Sequence, residues 1–173
     1  MKLNRLLNLN RVRIPLLLVM VSVLGIVLGG LQMNRKINRE ITLLMDPSKL
    51  KETVVIHEDD LTDLPAPVRE WLIVSGVVGE PRIQALRFSQ RGQMKLSPTQ
   101  KDWIEAQATQ YVRVDEPGYL WHVDLPMIPL IPTKGRDVWF HGEASMEVRI
   151  ASLIPIVNEK NNAKLNESSL HRF

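Results

Sequence analysis

Three hydrophobic periodicities divide this chain. From Ile14 to Leu31, eighteen residues carry no charge, and Ser22 is their only polar side chain. At ~1.5 Å per helical residue this run covers roughly 27 Å, close to the ~30 Å hydrocarbon core of a bilayer. The pattern predicts an uncleaved transmembrane helix over 14–33, with Arg13 snorkelling to the interface and Pro15 tolerated in the first turn. A cleaved signal peptide is the competing reading, with Lys2, Arg5, Arg11 and Arg13 as its basic region. The apolar run is long for that role, and no Ala-x-Ala follows it. Beyond the span, Ile37, Ile41, Leu44 and Met45 recur at helical spacing, so the helix is expected to continue out of the bilayer until Asp46-Pro47-Ser48 breaks it.

A second helical pattern covers Pro65–Ser75, with Asp63 as candidate N-cap and Gly76 as the stop. From Leu86 the period drops to two. Leu86, Phe88, Gln90, Gly92, Met94 and Leu96 point one way, and Arg87, Ser89, Arg91, Gln93 and Lys95 the other. Similar alternations run through Trp103–Val114, Tyr119–Leu125, Arg136–His141 and Glu143–Ile150. Asp115-Glu116-Pro117-Gly118 supplies a turn, and the prolines of Pro126–Gly135 exclude that segment from a sheet. Strands joined by short turns predict an antiparallel meander.

The expected class is therefore α+β, a transmembrane helix followed by a short helix and a curved antiparallel β-sheet. The sheet's oily face needs a cover, for which the candidates are helix 65–75, a second sheet or a ligand. The domain organisation reads as a basic flank (1–13), the span (14–33), a juxtamembrane helix and linker (34–60), the helix-plus-sheet domain (61–157) and a polar C-terminal segment (158–173). That last segment is expected to be poorly packed, opening a helix only at Glu167–Phe173, so that four or five strands form a thin, aggregation-prone core.

Charge sharpens the picture. The net charge is +3, from 22 Lys and Arg against 19 Asp and Glu, yet seven of the basic side chains and only one acid lie in residues 1–40. The remainder is mildly acidic, with 15 basic groups against 18 acids, which argues against nucleic acid as a partner. Four basic residues precede the span, and Arg35, Lys36 and Arg39 follow it. With the free amino terminus, this bias predicts an N-in orientation in an inner membrane and an extracytoplasmic domain. The partners expected are the lipid bilayer itself and a second copy, through the Gly25/Gly29 pair on one helix face. The absence of Cys excludes disulfides, thiolate metal sites and a cysteine nucleophile.

Two pairs are candidates for acid–base chemistry, His122 with Asp124 and His141 with Glu143, each spaced two apart. A solvated polar face produces the same spacing, and no metal-ligand motif accompanies either pair. Arg87, Arg91 and Arg113 are candidates for recognising an anionic headgroup, or for pairing with acids such as Glu105. Trp103, Tyr111 and Trp121 are candidates for lining an apolar site, and equally for ordinary core, as are Trp71, Trp139 and Tyr119. No metal or cofactor is expected, and no nucleophile elbow, P-loop or dinucleotide fingerprint occurs.

The runs LPAPVREWLIVSGVVGEPRI (Leu64–Ile83), FSQRGQMKLSP (Phe88–Pro98), VDEPGYLWHVDL (Val114–Leu125) and GRDVWFHGEASMEVRI (Gly135–Ile150) resemble an uncharacterised bacterial domain-of-unknown-function family. The resemblance covers residues 61–173 in order. It implies a C-terminally truncated product, since more sheet follows ESSLHRF (Glu167–Phe173) in that family, and it assigns no catalytic residue. The pattern is also similar to the curved half-barrels of periplasmic lipoprotein carriers. The function expected is a membrane-anchored module binding lipid or another apolar ligand. The alternatives are a structural or assembly protein and, last, a hydrolase; an enzyme is the less favoured class.

Overall fold

The structure, a computed structural model, describes residues 2–128 and 131–170, with side chains from Arg13 onward. The basic side chains Lys2, Arg5 and Arg11 therefore lie outside the described residues, as does the end, residues 171–173, of the helix start expected at Glu167–Phe173. A single helix, α1 (Lys2–Leu44), runs through the apolar stretch and well beyond it. Pro15 lies inside it rather than in a first turn, because the helix already begins at Lys2, and among the described residues one stretch is long and apolar enough to cross a membrane. Asp46 ends the helical region as expected, its carboxylate accepting from the Ser48 amide at 2.9 Å to open a short turn.

The second helix, α2 (Ala66–Val74), lies where the pattern put it. Pro65 rather than Asp63 is its N-cap, and Gly76 takes the left-handed conformation that stops it (φ 77°). It covers nothing. No residue of α2 is buried, and Trp71 is 67% exposed.

Among the described residues six strands follow in strict sequential order: β1 (Ala85–Met94), β2 (Ile104–Arg113), β3 (Gly118–Ile128), β4 (Ile131–Phe140), β5 (Glu143–Ile150) and β6 (Ile154–Lys160). All neighbours are antiparallel and the sheet is open, with β1 and β6 as its edges. The α+β class and the meander are as the alternations indicated. Two expectations fail. Pro126–Gly135 is not a break, because β3 and β4 pair through it. The register shifts between Leu125 and Ile128, Pro126 lies past the last β2 pairing at Asp124, and Pro132 lies past the last β5 pairing at Thr133. Prolines are tolerated where the neighbouring ladder has already ended, so the hairpin projects as a two-stranded ribbon. The C-terminal segment is also structured, although its described residues are mostly exposed and Ser169 alone among them is buried. β6 accepts Pro155 because it is an edge strand, and α3 (Ala163–Leu170) begins four residues before the expected start at Glu167. Asn162 caps α3, its Oδ1 accepting from the Leu165 amide at 2.8 Å. Asn166 Oδ1 accepts from the Ala144 amide, also at 2.8 Å, and Leu165 packs on Tyr119, Trp139 and Ala144.

The cover of the sheet is the main surprise. Arg87, Tyr111, Leu120, His122, Arg136 and Glu147 share one face through the register, and this polar-looking face is the one that α1 crosses. Met33, Ile37 and Leu44 bury against Leu120, with Ile41, Tyr111, Val138 and Phe140 around them. The charges are matched rather than avoided: Arg136 donates to both oxygens of Glu40, one at 2.7 Å, and Lys36 pairs with buried Glu147. Burial pushes the Glu147 carboxyl up, but hydrogen bonds from Lys36 and Arg149 outweigh it and hold the group below the usual range. The opposite face carries Ala108, Val123 and Leu125 at one end and the α3 contact at the other.

Candidate functional site

Alternation positions the first candidate pair. His122 and Asp124 stand on the α1 side of β3, where Tyr111 of β2 stacks on the imidazole at 6.3 Å between centroids and 23° between planes. Asn34, Ile37, Asn38 and Ile41 of α1 close a small cavity of about 100 Å³ over them. Burial lowers the His122 pKa. Asp124 opposes that shift, and Lys134 and Arg87 add to it. Asp124 is already engaged, accepting from Lys134 Nζ at 2.6 Å.

The second pair does not share a strand face, because only Glu143, at the start of β5, is on a strand. His141 sits in the β4–β5 turn with Gly142, in a left-handed conformation (φ 52°), and its Nε2 is 3.4 Å from Glu116 rather than near Glu143. Glu143 accepts from Asn161 Nδ2 at 3.2 Å. The residue of β4 opposite His122 is Arg136, five positions from His141 and hence about 17 Å along the strand. The two pairs are not brought together. Among the described residues no group of three or more His, Asp or Glu side chains is arranged to hold a metal.

The arginines divide. Arg113 is wholly buried and clamps the end of α1, donating to the Leu44 carbonyl at 3.0 Å, to the Asp46 carbonyl at 3.4 Å and bidentately to Asp115. That hydrogen bond holds the Asp115 carboxyl below its ordinary range. Arg87 lies 5.5 Å over the Tyr111 ring, and Arg91 is opposite Gln107. Glu105 faces Gln93 instead of an arginine. The aromatic candidates divide as well. Trp121 is on the face away from α1, its Nε1 donating to Gln90 Oε1 at 2.8 Å; Tyr111 is on the near face. Trp103 is 60% exposed just before β2, with Lys95 Nζ 5.0 Å over its ring. These three rings do not line one site.

Two other features emerged only with the fold. A cleft of about 450 Å³ opens where the β3–β4 ribbon leaves the sheet. Leu125, Pro126, Ile128, Ile131 and Pro132 give it an apolar lining, and Glu105 and Asp124 stand among its residues. Its sequence signature is the apolar, proline-bearing run that the strand assignment had set aside. The Gly25/Gly29 pair, second, receives the β5–β6 turn: a Cβ on Gly29 would fall 2.7 Å from both the Ser152 carbonyl oxygen and Leu153 Cδ2. Only glycine permits that approach.

The model of a family of unknown function (DUF6544) matches residues 54–173. No curated protein and no solved structure matches the chain.

Proposed function

The chain belongs to that family of unknown function, DUF6544, and we propose that it is a single-pass membrane-anchored module that binds lipid or another apolar ligand at the membrane surface. The cleft at the β3–β4 ribbon carries the reading. Its volume of about 450 Å³ is in the range of small-molecule sites and its lining is mostly apolar. Its Thr133 pairs with Ile150, so it lies at the same end of the sheet as the β5–β6 turn that meets Gly25 and Gly29 of α1. The anchor is supported by exposure. Ile14, Leu18 and Leu24 are each more than half exposed, an apolar surface that water tolerates poorly and lipid accepts. The excess of basic residues before the span favours an inner-membrane location with the domain on the extracytoplasmic side.

Lipid extraction tests the ligand. The full chain, purified in mild detergent, is expected to retain phospholipid through gel filtration, and Ile131→Asp, which places a charge in the cleft, to lose it. Equal lipid content in both would sink the reading. Alkaline carbonate tests the anchor, and the protein is expected to stay in the membrane pellet.

An assembly role is the rival. It is favoured by the open β1 edge, whose residues are mostly exposed, Phe88 at 38% among them. Self-association through Gly25 and Gly29 would have to displace Leu153 from that face, and cross-linking of the native chain into dimers would favour it.

A further inference from the structure

We propose that the end of the sheet made by the β5–β6 turn and the β3–β4 ribbon is seated in the lipid leaflet from which α1 emerges, so that the domain docks on its own membrane. The proposal rests on reading α1 as the anchor, and its occupant is the phospholipid leaflet itself.

Length carries the argument. The domain does not begin where the apolar run ends. Leu153 reaches Gly25, at 3.6 Å from a Cβ built there, and Gly29 is buried beneath Ser152 and Leu153. Gly25 lies six residues before Leu31, about 9 Å down the helix axis. The whole run of eighteen residues reaches only roughly 27 Å, so it has no turns to surrender to water. If Gly25–Leu31 stood clear of the bilayer, the eleven residues Ile14–Leu24 would have to cross it with about 17 Å. The turn that touches Gly25 and Gly29 is therefore at lipid depth.

Its chemistry suits that depth. Leu153 is 42% and Ile154 61% exposed, and Ile128 at the tip of the neighbouring ribbon is 42% exposed. The Leu153 amide is satisfied within the turn by the Ile150 carbonyl at 3.1 Å, and the Ser152 hydroxyl faces α1 near Gly30, away from lipid. Arg35 and Arg39 are exposed one and two turns past Leu31, at the level of anionic headgroups.

The chain has no Cys, so single-cysteine variants report position cleanly. Val23→Cys, Ile154→Cys, Ile128→Cys and Val74→Cys, each carrying an environment-sensitive fluorophore, are placed in full-length protein in vesicles of phosphatidylcholine with a minority of phosphatidylglycerol. All four side chains are exposed on the protein, so the label displaces no core contact. With acyl-brominated phosphatidylcholine, labels at Val23, Ile154 and Ile128 are expected to be quenched and blue-shifted, and the label at Val74 on α2 to remain water-like. Quenching at Val23 alone would overturn the docking and leave the anchor standing. No quenching at Val23 would overturn both. Quenching at all four would show a domain lying on lipid without preference, and would also overturn the proposal.

Discussion

Arg113 shows how one side chain can be misjudged from its strand position. Alternation places it on the polar face of β2, where an arginine suggests a ligand, yet it is fully buried against the last carbonyls of α1. Removing it takes the side-chain donor from Asp115 and from the Leu44 carbonyl, while the Asp46 carbonyl keeps the Lys49 amide. Arg113→Ala is expected to lower stability by about 3–5 kcal/mol, the scale for breaking a buried ion pair, measured by urea denaturation in detergent. His122 makes a different kind of prediction. Its folded pKa lies below the unfolded value, so the unfolded chain binds more protons as pH falls below about 6.5. Stability is expected to be full above that pH and to decline beneath it until the folded group also titrates. In His122→Gln the denaturation midpoint should hold steady between about pH 7 and pH 5.5.

At the scale of elements, Gly29 is the tightest joint between helix and sheet. Gly29→Leu is expected to cost about 1–3 kcal/mol and to release amide-exchange protection in β6, because the obstacle includes the Ser152 backbone. Gly25→Ala should be tolerated, since its nearest neighbour is at an ordinary 3.6 Å. The pair was legible in the sequence as a close-approach motif, but what approaches was not. Residues 25, 29, 33, 37, 41 and 44 form one stripe along α1, which the sequence divides in two because one half has the composition of a membrane span and the other that of a juxtamembrane helix. Long alternations such as Leu86–Met94 gave their strands directly. Proline cuts the legible strands short at Pro126 and Pro132 and hides β6 at Pro155, since tolerance of proline depends on whether a neighbour is still pairing, which is a property of the assembled sheet. The candidate site suffered from the same limit. His122 and His141 look equivalent by spacing, and only register separates them.

For the molecule as a whole, α1 carries the stretch long and apolar enough to cross a membrane and is also the cover for Leu120, Val138 and Phe140. A fragment beginning at Asp46 would bare that patch and leave Arg136 and Glu147 without Glu40 and Lys36. It is expected to aggregate on ultracentrifugation, whereas the full chain in detergent should sediment as a discrete species. A monodisperse, cooperatively folding fragment would show that the sheet does not need the helix. The same contact sets an order on biogenesis. Each hairpin pairs with the strand made just before it, so β1 to β6 can zip as they leave the ribosome. Glu40 and Lys36, in contrast, must wait for partners 96 and 111 residues downstream. At roughly 5–20 residues per second the helix spends about 5–20 s without its cover partners, long enough for it to be delivered to a bilayer first. With α1 as the proposed anchor, the membrane would hold the scaffold in place before the sheet exists, and the joint of Leu153 on Gly29 would close against a helix already fixed in lipid.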